Sequence, residues 1–138
     1  MRVGPLRLKL QLLCGDGYAM GPGKADLLEA IDREGSISAA GRALGMSYRR
    51  TWLLVNEMNR CFHERLVETL TGGGRNRGAR ITDCGRTVLA DYRALEAQTA
   101  RVSENPAYDR LVAAMLDEPL PPKSSRDETS GARRSSPE

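Results

Sequence analysis

The chain has 138 residues, enough for one compact domain with an appendage and hardly for two independent cores. Hydrophobic residues make up 40% and charged residues 28%, an ordinary globular balance, and no apolar run approaches the roughly 20 residues that cross a bilayer. Net charge is +3, with three cysteines (Cys14, Cys61, Cys84) and a single histidine, His63. An odd number of cysteines without close pairing argues against a disulfide framework and fits a reducing compartment. Polar residues interrupt the apolar stretch near the start, which argues against a secretory signal, so a cytoplasmic location and no membrane partner are expected.

Leu6, Leu8, Leu10 and Leu12 alternate with Arg7, Lys9 and Gln11, the period of a half-buried strand over 6–13. Gly15-Asp16-Gly17 and Gly21-Pro22-Gly23 then break the chain. A helix is predicted to start between Pro22 and Lys24, to bury Leu27, Leu28 and Ile31, and to stop at Gly35. Ser36 and Ser38 are both placed to cap a second helix. Its Ala39, Ala40 and Ala43 let a neighbour approach closely before it ends at Gly45. Ser47 caps a third helix, expected to run from Tyr48 to about Glu64. Thr51, Val55, Met58 and Phe62 recur at helical spacing and define its buried stripe, widened by Leu54 and Cys61.

Residues 66–71 and 79–82 read as the strands of a hairpin whose tip is the loop Gly72-Gly73-Gly74-Arg75-Asn76-Arg77-Gly78. A long helix is predicted over 83–102, with Val88, Tyr92, Leu95, Thr99 and Val102 on one stripe and Leu89 beside it. A shorter helix after Asn105-Pro106 carries Tyr108, Leu111, Val112, Met115 and Leu116. Residues 117–138 hold four prolines and five serines and almost no apolar side chain, too little to offset ordering entropy. The expected organisation is a domain over 1–116 and a disordered tail over 117–138.

Charge is concentrated. Between Arg42 and Arg86 lie nine arginines, four acids and no lysine. A guanidinium makes planar, bidentate contacts to phosphates and guanine edges, although a charge run alone can be no more than a solvated face. The order of elements adds what charge cannot. Two helices joined by a tight turn, followed by a basic hairpin, are the parts of a winged helix-turn-helix. The fold expected is mainly α with a small β-hairpin, ending in a long dimerisation helix.

The run Gly35-Ser-Ile-Ser-Ala-Ala-Gly-Arg-Ala-Leu-Gly-Met-Ser-Tyr-Arg-Arg-Thr-Trp-Leu-Leu-Val-Asn-Glu-Met-Asn-Arg60 resembles the N-terminal DNA-binding domain of ModE-type, molybdate-responsive regulators. Leu66-Val-Glu-Thr-Leu-Thr-Gly-Gly-Gly74, with Ile81, Thr82 and Gly85, resembles the wing and linker-helix start of that family. The similarity spans about residues 20–100; a looser one links the chain to LysR-type DNA-binding domains. The resemblance implies double-stranded DNA as partner and homodimerisation. The family's molybdate-binding barrels have no counterpart among these 138 residues, so no molybdate site and no cofactor are expected in this chain. Ser47 and Tyr48 match the start of the family's recognition helix.

Base-edge contacts are expected from Tyr48 and Arg49, and phosphate contacts from Arg50, Ser36 and Ser38. Arg75 and Arg77 supply charge at the wing tip. Trp52 reads either as a contact or as core, since it lies beside the Val55 stripe. Val88, Leu89, Tyr92, Leu95 and Val102 are expected to form a dimer seam, with the first strand and the 106–116 helix contributing. Twofold symmetry would then match a palindromic operator. The alternative is an interaction partner or adaptor that heterodimerises with a full-length regulator through the long helix.

Enzyme readings fare worse. The glycine-rich 15–24 segment has Tyr18 where a phosphate-binding loop needs glycine and Ala25 where it needs Ser or Thr. Met20 stands at the third glycine of the dinucleotide fingerprint. Cys61 and His63, two positions apart on a helix, would point about 200° apart and could not share a metal. Nucleophilic chemistry would have to use His63 inside the proposed recognition helix, with no orienting motif. The chain is expected not to be an enzyme.

Overall fold

The alternating leucines do not make one strand. In the computed structural model, which describes residues 2–70 and 78–123, β1 (Arg2–Val3) turns at Gly4-Pro5 and pairs with β2 (Leu6–Arg7). Residues 8–11 belong to no ladder, and β3 (Leu12–Cys14) pairs antiparallel with β4 (Gly17–Met20). The turn between these strands uses Gly15 at φ 58°, a left-handed position that suits glycine. Alternation correctly marked Leu10 as inward, since it packs on the core. Its backbone is taken by a distant partner: Tyr92 Oη donates to the Leu10 carbonyl at 2.7 Å.

Pro22 in the first turn and Gly35 after the last turn delimit α1 (Pro22–Glu34). Gly35 is left-handed (φ 76°) and its N–H closes on the Ile31 carbonyl at 2.9 Å. Leu27, Leu28 and Ile31 are fully buried, each contributing about 1.5–3 kcal/mol of apolar burial. In α2 (Ile37–Ala43), Ser36 is the cap, its Oγ accepting from Ala39 N–H at 2.9 Å. Gly45 (φ 71°) turns the chain, and Ser47 caps α3 (Tyr48–Arg60) by accepting from Arg50 N–H at 3.1 Å.

The α2–α3 crossing depends on Gly41. A Cβ there would collide with the Thr51 hydroxyl, while Thr51 Oγ1 donates to the Ser47 carbonyl at 2.7 Å. Thr51, Val55 and Met58 form the buried stripe of α3, and Phe62 packs partly against the core beyond it. The helix ends at Arg60, earlier than its apolar period suggested. Cys61 is its C-cap, and His63 is exposed outside it. Cys61 and His63 therefore do not share a helix, and among the described residues no cluster of three or more metal-binding side chains exists.

β5 (Val67–Leu70) and β6 (Gly78–Ile81) form the antiparallel hairpin in the register Val67↔Ile81 and Leu70↔Gly78. Val67, Ala79 and Ile81 face the core. Thr82 caps α4 (Asp83–Thr99) through Gly85 N–H at 3.0 Å, and a 3-10 turn over Ala100–Glu104 follows, so the long helix is shorter than expected. Tyr92 is 2% exposed and belongs to this core, with Val88 and Leu89 half-buried beside it. That corrects its placement on a dimer seam. Leu95 (47%) and Val102 (51%) remain exposed.

Charge fastens α4 to α1. Arg93 reaches Asp26 (2.8 Å), Glu29 (2.9 Å) and the buried Glu96 (2.8 Å). The chain divides into two units after Asn105 rather than at residue 116. The second unit contains α5 (Pro106–Ala114), with Leu111, Val112, Met115 and Leu116 exposed. Residues 117–123 are exposed and form no helix or strand; the rest of the expected tail lies outside the described residues. No helix among the described residues is long and apolar enough to cross a membrane.

Candidate nucleic-acid interface

Two opposed faces of α3 follow from its spacing. Thr51, Val55 and Met58 face the core. Arg49, Leu53, Asn56 and Arg60, at intervals of four, three and four, make a continuous exposed ridge on the other side. Tyr48 stands 67% exposed at the amino end of this helix, its ring 6.1 Å from that of Trp52. Arg49 and Arg50 are exposed and make no ion pair among the described residues.

Pairing sorts the basic segment into two groups. Arg42, Arg49, Arg50, Arg60 and Arg65 are exposed and form no salt bridge among the described residues, although the Arg60 charge is felt by Glu57. Arg80 is paired across the hairpin with Glu68 at 2.5 Å, and Arg86 with Asp32 at 3.2 Å. The available charge thus gathers around α3, whereas the hairpin base is neutralised. Arg75 and Arg77 lie outside the described residues.

Ser36, Ser38 and Trp52 meet Thr69 and Gly78 around a cleft of about 380 Å³ between the start of α2, the side of α3 and the hairpin. Ser36 Oγ is already committed to its cap, while Ser38 is half-buried on the rim. Trp52 lies at the inner side of this cleft. Its ring packs on the core, and its buried Nε1–H has no hydrogen-bond partner among the described residues. The structure brings Ser36, Ser38 and Trp52 to one cleft and puts Ser47, Tyr48, Arg49 and Arg50 in the first turn of α3.

Two positioning contacts escaped the sequence. Buried Lys24 donates to Glu57 Oε1 (2.7 Å) and to the Tyr18 carbonyl (2.6 Å), tying α1, α3 and β4 together. The Lys24 hydrogen bond holds the Glu57 carboxyl below its usual range against the opposing cost of burial. Asn59 binds the hairpin to α3: its Oδ1 accepts from Leu66 N–H (2.9 Å) and Val67 N–H (3.1 Å), and its Nδ2 donates to Val67 O (3.0 Å). A polar residue facing away from the exposed ridge was the available sign for Asn59. Lys24 and Glu57 are far apart in sequence and gave none.

No protein-family model matches the chain. It is similar to the molybdenum transport protein ModE of Azotobacter vinelandii, 40% identical over 95 residues, 69% of this chain and 33% of that protein. It is similar to the molybdenum-pterin-binding protein MopA of Rhodobacter capsulatus, 36% identical over 96 residues, 70% of this chain and 36% of that protein. The DNA-binding transcriptional dual regulator ModE of Escherichia coli K12 is 38% identical over 71 residues, 51% of this chain and 27% of that protein. The chain spans about a third of the length of the first two relatives. These relatives are named as regulators or as molybdenum transport and binding proteins, not as enzymes.

Proposed function

We propose that the chain is a ModE-type transcription regulator whose winged helix-turn-helix binds a palindromic operator in double-stranded DNA as a homodimer in the cytoplasm. One observation carries this reading: the first turn of α3 projects Tyr48, Arg49 and Arg50 outward with no acidic partner among the described residues, on a helix whose opposite stripe is fixed in the core. A helix so anchored fits a major groove about 12 Å wide. Arg49 and Tyr48 read base edges, Arg50 and Ser38 touch phosphate, and Arg75 and Arg77 add charge at the wing. Similarity to proteins named ModE, one of them a DNA-binding transcriptional dual regulator, supports the family. Exposed Leu95 and Val102 in the first unit, and the apolar side chains of α5 in the second, support self-association.

Equilibrium binding at fixed salt to a ModE-type palindrome and to a scrambled duplex tests the proposal. The palindrome is expected to bind tighter, and Arg49→Ala to lose about 1–3 kcal/mol of discrimination at one base pair of each half-site. Equal affinity of the unaltered chain for both duplexes rejects sequence-specific recognition.

A further inference from the structure

Cys14 ends β3 directly across from Gly17 in the hairpin register. Gly17 abuts the Glu57 carboxylate so closely that a Cβ there would lie 2.5 Å from Oε2. One helical turn beyond Glu57, on the same face, comes Cys61 at the C-cap of α3. This docking sets half-buried Cys14 beside the end of α3 that carries half-buried Cys61. Cys84 packs instead against the core at the start of α4.

We propose that Cys14 and Cys61 form an oxidisable dithiol site, which a peroxide converts into an intramolecular disulfide. The ionised thiol of the pair attacks one peroxide oxygen. The O–O bond breaks, the departing hydroxide takes up the proton released on ionisation and becomes water, and a sulfenic acid remains on that cysteine. The second thiol attacks the sulfenic sulfur; the S–S bond forms, the S–O bond breaks, and water leaves with the second thiol proton. Two thiols give up two electrons, and one peroxide becomes two waters. The sulfurs close to about 2.0 Å, joining the β3–β4 hairpin to the end of α3.

The surroundings govern the rate. The Cys14 thiol foremost, and then burial, hold the Cys61 thiol above its ordinary range; Glu57 reinforces this and Lys24 of α1 opposes it. Oxidation therefore accelerates as pH rises toward the thiol range. The chemistry does not depend on DNA, so a chain without operator affinity would still undergo it.

The test uses the reduced full chain treated with hydrogen peroxide, then quenched and alkylated. Intact mass before alkylation is expected to fall by about 2 Da, the two thiol hydrogens. Peptide mapping is expected to give a Cys14–Cys61 cross-link, with Cys84 alone alkylated. Cys84→Ser should behave like the unaltered chain, and Cys14→Ser and Cys61→Ser should lose the cross-link. Thermal melts establish that the serine variants fold; if they do not, mapping of the unaltered chain decides. Oxidation only to sulfinic or sulfonic acid, a bond that uses Cys84, cross-linking only between chains, or no reaction would each overturn the proposal.

Discussion

Arg49 and Arg50 of α3 differ from Arg86 and Arg93 of α4 in what surrounds them. The first pair projects into solvent with no acid in reach among the described residues. The second pair is matched to carboxylates of α1: Asp32 for Arg86, and Asp26 and Glu29 for Arg93, which also holds Glu96. Composition gives these arginines equal weight. Their partners do not, because a matched guanidinium fastens helices while an unmatched one is left for a polyanion. The positive segment found in the sequence is therefore two populations, and only one belongs to the proposed DNA face.

This contrast breaks first at Arg93. Arg93→Ala leaves Glu96 buried without its partner and is expected to destabilise the fold by about 3 kcal/mol in urea unfolding, with base preference unchanged for the folded fraction. Asn59→Ala removes three hydrogen bonds, two to Val67 of β5 and one to Leu66 just before it, and strands two backbone N–H groups. A loss of about 2 kcal/mol is expected, with faster amide exchange at Leu66 and Val67.

Tyr92 sharpens the α4 side further. Burial, followed by the charge of Glu96, pushes its hydroxyl up to about 12. An unfolded tyrosine titrates near 10, so the stabilisation is complete below about pH 10 and is lost as pH rises through about 12. Tyr92→Phe should flatten that alkaline loss and cost about 1 kcal/mol at neutral pH through the missing bond to Leu10. The smallest stability effect belongs to Arg49→Ala, within about 0.5 kcal/mol, although this variant should alter DNA preference. A large loss of stability there would move Arg49 into the fastening group.

Caps and apolar periods were legible because they are local. Ser36, Ser47 and Gly35 stand where the sequence put them, and the Thr51–Val55–Met58 stripe is buried. The 6–13 segment was misread because alternation specifies a face and not a hydrogen-bond partner. Tyr92 claims the Leu10 carbonyl, and the Gly4-Pro5 turn folds the first residues back on themselves. The end of α3 was overrun because Cys61 and Phe62 continue the apolar period after the helix has stopped. At the candidate site, the exposed first turn of α3 was readable residue by residue. Lys24, Glu57 and Asn59, which orient that helix, were not, since their partners lie on other elements.

The contact at Gly41 has an evolutionary consequence. The angle between the two helices depends on the absence of one carbon atom, and every codon change that alters this residue supplies at least that carbon. Any other residue there therefore forces Thr51 to shift or shrink, or the two helices to move apart. Since Thr51 also fastens the amino end of α3, a smaller residue at 51 that made room would give up that bond.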